Sequence, residues 1–101
     1  MPWMVETYDK PGCADLRIRL RPAHLDYLEA NKHLLLACGA KLDDDGDLAS
    51  GGLYVLDVAT RAEAQAFIEA DPFHQGDLFE RVFVTRWRKA YLDGRNTLDE
   101  G

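Results

Sequence analysis

Leu53-Tyr54-Val55-Leu56-Asp57-Val58-Ala59-Thr60-Arg61-Ala62-Glu63-Ala64-Gln65-Ala66-Phe67-Ile68-Glu69-Ala70-Asp71-Pro72 runs from strand to helix to stop without a spacer. Leu53 and Val55 point one way along the strand, and Tyr54, Leu56 and Val58 the other. Both faces are apolar, which predicts a strand covered on both sides. Thr60 then offers a hydroxyl to the first turn of a helix, and Glu63 three residues on completes a capping-box pattern. Ala62, Ala66, Phe67 and Ala70 are the expected inner face. Asp71-Pro72 closes the helix, because a residue that precedes proline avoids helical angles.

Outward from this unit the same alternation recurs. Trp3–Tyr8 suits a first strand, and Asp9-Lys10-Pro11-Gly12 a turn. From Asp15 to Asn31, Leu16, Leu20, His24 and Leu28 fall at helical spacing, with Tyr27 and Asn31 alongside. Pro22 interrupts the pattern: it lacks the amide proton that a helix interior needs but fits a first turn. Two readings stay open, a helix that starts near Pro22 after an earlier helical turn, and one helix with a kink. Leu34–Ala40 reads as a buried strand, and Asp43–Gly52 as an acidic loop. Phe79–Tyr91 reads as the last strand, with Phe79, Phe83, Trp87 and Tyr91 on one face and Val82 and Val84 on the other. The order βαββαβ predicts an α+β, ferredoxin-like domain with a four-stranded antiparallel sheet. Its helices cover one sheet face only. A second copy of the chain is the simplest cover for the other, so a homodimer is expected.

At 101 residues there is room for one domain, with a core over about residues 3–91 and a polar, loose tail over 92–101. The net charge of -6, with Arg86, Arg88 and Lys89 as the one local basic patch, argues against nucleic-acid partners and against an anionic membrane surface. No apolar run is long enough to span a bilayer, and Met1-Pro2-Trp3-Met4 does not begin like a signal peptide. Cys13 and Cys38 form no CxxC pair and read as reduced thiols, one in a loop and one buried, which implies a cytoplasmic protein.

His24 is the first candidate for chemistry. An ordinary histidine on an apolar stripe is a core residue with one satisfied hydrogen bond. In the first turn of a helix starting at Pro22, however, the dipole would favour the neutral ring that a general base needs. Asp71 is the second candidate. It would face the unfavourable end of the helix dipole, and Asp-Pro is also a common turn starter. The two helices of this fold run antiparallel, so His24 and Asp71 can meet at one end of the domain, the carboxylate orienting the ring. Arg21 is a candidate anchor for an anionic substrate group. Tyr8, Phe73 and Trp87 are candidate pocket walls, although such aromatics are more often core. Asp43-Asp44-Asp45-Gly46-Asp47 lacks the length and the terminal glutamate of a calcium loop, and no metal or cofactor motif is recognised.

Arg21-Pro22-Ala23-His24-Leu25, followed by Ala64-Gln65-Ala66-Phe67-Ile68-Glu69-Ala70-Asp71-Pro72-Phe73, resembles the YciI-like (YCII-related) domain. Asp9-Lys10 and Phe79-Glu80-Arg81-Val82-Phe83-Val84 add to the resemblance, which covers about residues 3–91. It implies a dimeric α+β barrel of ferredoxin-like protomers, related in shape to muconolactone isomerases. It also implies an active site built on a histidine and an aspartate, which correspond to His24 and Asp71. The family includes a dehydrochlorinase acting on a chlorinated hydroxyquinol, and many members without an assigned reaction. Three functions follow as expectations. One is a cofactor-free acid–base enzyme of isomerase or lyase type, working on a small cyclic or aromatic polar substrate. The others are a small-ligand-binding or accessory module without turnover, and a structural dimer.

Overall fold

The computed structural model describes residues 2–98. Four strands, β1 (Trp3–Asp9), β2 (Leu35–Leu42), β3 (Ala49–Leu56) and β4 (Phe79–Arg86), form one sheet in the order β2-β3-β1-β4. Every neighbouring pair is antiparallel. Helix α1 (Ala14–Ala30) joins β1 to β2 through a 3-10 turn at Lys32–Leu34, and α2 (Arg61–Ala70) joins β3 to β4. This is the ferredoxin-like layout. No helix among the described residues is long and apolar enough to cross a membrane.

Helix α1 is continuous through Pro22, so His24 lies in its middle and not in a first turn. The helix dipole therefore gives His24 no first-turn effect, contrary to the expectation. Pro22 and Ile18, whose carbonyl loses its helical partner there, both sit on the exposed side. Water can satisfy that carbonyl, which is why the proline is tolerated. The inner side of α1 carries Leu16, Leu20, His24, Tyr27 and Leu28 as the spacing predicts.

In α2 the Thr60 hydroxyl caps the Glu63 amide at 3.1 Å. The buried stripe is Ala64, Phe67 and Ile68, not the expected set with Ala62, Ala66 and Ala70. Phe67 and Ile68 bury far more apolar surface than alanines, and they turn the helix accordingly. Asp71 falls one turn further on the same stripe. It ends α2 and caps a short helix, α3 (Pro72–Gln75), absent from the sequence reading. Asp71 thus meets the favourable end of a helix, with proline in the position after the cap where its missing amide costs nothing.

Three strands differ from expectation. β3 begins at Ala49, within the stretch read as a loop, because Ala49, Gly51 and Gly52 pair with β2. β2 is an edge strand and largely exposed, because only β3 pairs with it. β4 ends at Arg86. A register shift pairs Tyr8 with Arg81 but Asp9 with Phe79. This bulge turns Phe79 into the core with Val82 and Val84, while Phe83 stays on the open face. Tyr91 belongs to a separate two-stranded hairpin, β5 (Tyr91–Leu92) with β6 (Arg95–Asn96). The Thr97 hydroxyl ties that hairpin back to Lys89 at 2.7 Å. The expected loose tail is therefore folded as far as Leu98, and its last three positions lie outside the described residues. Helix α2 packs on β1 and β4. The other side of the sheet carries Met4, Glu6, Tyr8, Leu53 and Phe83, with no second layer over it among the described residues.

Candidate active site

Three elements converge on Asp71. α2 ends there, α3 begins there, and α1 brings His24 across. The carboxylate is fully buried. His24 Nδ1 lies 2.8 Å from Oδ1 and 2.9 Å from Oδ2. The Tyr54 hydroxyl donates to Oδ2 at 2.9 Å, and the Phe73 amide to Oδ1 at 2.8 Å. A buried charge is tolerable only with such a full set of donors. Tyr54 is fixed as a donor, because burial first and the Asp71 carboxylate second push its phenol far above the ordinary value.

A carboxylate against Nδ1 assigns the proton of the neutral imidazole to that nitrogen. Nε2 is left with its lone pair and has no partner among the described residues. The ring is held flat on Phe73, with centroids 3.8 Å apart and planes inclined by 13°. Its free edge meets a cavity of about 250 Å³ between α1 and the β2–β3 pair. Arg17, Arg21, Leu25, Cys38 and Phe73 also line this space.

Of the residues singled out in the sequence, His24, Asp71 and Phe73 are brought together, and Arg21 stands at the mouth of the cavity. Arg21 is exposed and makes no hydrogen bond or ion pair with a described residue. Tyr8 and Trp87, expected as pocket walls, do not line the cavity. Strand alternation puts Tyr8 on the opposite face of the sheet, where Lys41 Nζ lies 3.2 Å from its ring centroid and Phe83 meets it edge-on. Trp87 follows β4, two strands away from the cavity.

Arg17 is a site residue that the sequence reading missed. Its guanidinium lies 4.7 Å from the Phe73 centroid, on a ring that also carries His24. Asp9 Oδ2 holds Nη1 at 2.6 Å, and the Gly51 carbonyl accepts from Nη2 at 3.3 Å. Gly51 has to be small here, since a Cβ would stand 2.1 Å from the Thr7 carbonyl oxygen. The available signal was spacing: Arg17, Arg21 and His24 recur at the i, i+4, i+7 of one helical stripe.

Cys38, expected to be buried, is exposed on the edge strand, but its thiol borders the cavity. Desolvation there, and then the Asp71 charge, raise it to about 11. A thiol at that value is about a hundredfold less ionised at neutral pH than an ordinary one, and thiolate is the nucleophile. In a Cys13→Ser background, alkylation of Cys38 by iodoacetamide should keep accelerating roughly tenfold per pH unit up to about pH 10.5. A plateau by about pH 10, as for an ordinary thiol, would contradict this.

A family model described as the YCII-related domain matches residues 1–88. Among solved structures, the chain is similar to 5-chloro-2-hydroxyhydroquinone dehydrochlorinase (TftG) from Burkholderia phenoliruptrix AC1100, in complex with 2,5-dihydroxybenzoquinone. The two are 30% identical over 87% of this chain and 94% of that one, with a TM-score of 0.80. An antibiotic biosynthesis monooxygenase is 13% identical over 86% of this chain and 97% of its own, with a TM-score of 0.48. No curated protein gives a significant match.

Proposed function

The chain belongs to the YCII-related family, and from that premise we propose that it is a cofactor-independent acid–base enzyme acting on a small hydroxylated ring. The observation that carries this reading is the Asp71–His24 contact at 2.8 Å, which orients, through Nδ1, an imidazole that lines a cavity. His24 Nε2 is the base that takes a proton from a ring hydroxyl. Asp71 holds the ring and stabilises it once protonated. Arg21, free at the mouth, pairs with the anionic oxygen that results. Phe73 buttresses the imidazole.

The reaction this arrangement suits best is elimination of HX, the reaction type named for the dehydrochlorinase relative. Loss of a hydroxyl proton lets the ring take its keto form, with a proton on the carbon that bears chlorine. Chloride then leaves with its bonding pair as a second hydroxyl proton is lost. Net loss is one proton and one chloride. The ring emerges as a quinone and no external oxidant is consumed.

The reading includes a homodimer, in which two copies pair through the open sheet faces. Support comes from Leu53 and Phe83, large apolar side chains left exposed on that face. It also includes a cytoplasmic location, consistent with two unpaired cysteines.

Incubation with 5-chloro-2-hydroxyhydroquinone, followed by chloride release and quinone absorbance, tests the proposal. Many turnovers per chain above the buffer rate are expected. Thermal stabilisation by 2,5-dihydroxybenzoquinone without any turnover would favour a ligand-binding module instead. Neither turnover nor stabilisation would remove this substrate class.

A further inference from the structure

A second hollow, of about 280 Å³, opens beside the His24 cavity between the first half of α1 and the β2–β3 hairpin. The two hollows share Arg17, Arg21 and Ala40 in their linings, so they adjoin, as two arms, at the arginines. The second arm is walled by Ile18, Leu42 and Leu48, which are 68%, 57% and 61% exposed. Single exposed apolar side chains are ordinary on a protein surface, but three around one concavity are not. The wall is also preformed. The Asp43 amide donates to the Leu48 carbonyl at 3.0 Å, and Asp43 Oδ1 accepts from the amides of Asp47 and Leu48 at 2.9 and 3.3 Å. The acidic loop thereby works as a clamp that holds Leu48 over the hollow.

We infer that this arm is an apolar subsite of the same active site, and that the substrate is a hydroxylated ring bearing a short alkyl or aryl substituent. The inference rests on the His24 reading, since the ring must sit in the first arm for its substituent to enter the second. The charged junction favours this occupant. Arg17 and Arg21 face ring oxygens on one side, and the carbon substituent leads away from them on the other.

The test compares 2,5-dihydroxybenzoquinone with its 3-butyl derivative by titration calorimetry, on wild type, Ile18→Ser and Leu48→Ser. Both substitutions lie on exposed surface, outside the residues assigned to proton transfer. Each methylene taken fully out of water is worth roughly fourfold in affinity. A butyl group in a half-open hollow should therefore bind about tenfold tighter than the parent in wild type. Each serine variant should lose most of that gain and keep the parent's affinity. Equal affinities in wild type, or a gain that survives both substitutions, would overturn the subsite while leaving the His24 reading intact. A lower sedimentation mass in Leu48→Ser with the butyl gain unchanged would also overturn it, by assigning the patch to a protein contact. If neither ligand binds, the reading of His24 on this substrate class falls and the subsite falls with it.

Discussion

Asp71→Ala is expected to lose about 3–5 kcal/mol of stability, because three hydrogen bonds to one buried carboxylate disappear and their donors are left unsatisfied. For a domain of this size that lowers the melting temperature by about 15 °C or more. The size follows from what is orphaned. The Tyr54 hydroxyl, the Phe73 amide and His24 Nδ1 all point at this carboxylate, and none has a second acceptor among the described residues. Both α3 and the end of α2 are anchored there. Asp71→Asn separates structure from chemistry. Its amide oxygen can still accept from the Phe73 N–H, so the cap survives and most of the stability with it. Its amide nitrogen, however, takes the Oδ2 place, where it can only donate, towards Nδ1 or the Tyr54 oxygen. Nδ1 can still donate to the amide oxygen, but the side chain carries no charge to stabilise the imidazole once it is protonated, so the proposed base is weakened. Turnover should then fall by about 10²–10⁴ in a folded protein, as a lost acid/base group does. A well-folded Asp71→Asn with near-native turnover would show that the carboxylate charge beside the imidazole does not matter. An Asp71→Ala that melts within a few degrees of wild type would show that the buried network is not holding the helices.

The parts of this site written in local chemistry could be read from the residues. Thr60 with Glu63, and Asp71 before Pro72, fix where α2 starts and stops, and those signals need no knowledge of the rest of the chain. The helical stripe through Leu20, His24 and Leu28 was also legible, because a period of 3.6 survives an exposed proline. What could not be read were choices between competing neighbours. Which side of α2 turns inward depends on how much surface Phe67 and Ile68 bury against β1 and β4, not on α2 alone. Phe79 is in the core because of a bulge opposite Tyr8 and Asp9, and strict alternation predicts the opposite face for it. Tyr8 and Trp87 suit a pocket wall as aromatics, but alternation along β1 puts Tyr8 on the opposite face of the sheet, and the strand order β2-β3-β1-β4 keeps Trp87 away from the cavity. Arg17 went unnoticed for the converse reason. Its partner Asp9 lies across a turn, and only the folded chain shows that this ion pair sets the guanidinium against Phe73.

His24→Ala should abolish most turnover, with kcat down by about 10²–10⁴, while the domain remains folded. Removing the ring deletes the nitrogen that takes the proton and leaves Asp71 with its two other donors, Tyr54 and Phe73. Loss of one hydrogen bond to a charged group, together with the stacking on Phe73, costs about 2–3 kcal/mol. That is less than removal of the carboxylate, because the hub of the network survives. The two variants should therefore rank in opposite order, Asp71→Ala lower in melting temperature and His24→Ala folded but inactive. Truncation also opens a ring-sized space against Phe73, so added imidazole should restore part of the rate to His24→Ala and none to wild type. Rescue separates a proton carrier from a residue that merely props up the pocket, since a prop would not need an ionisable nitrogen. Turnover within threefold of wild type in folded His24→Ala, with no response to imidazole, would take His24 out of the mechanism and return the cleft to a binding role.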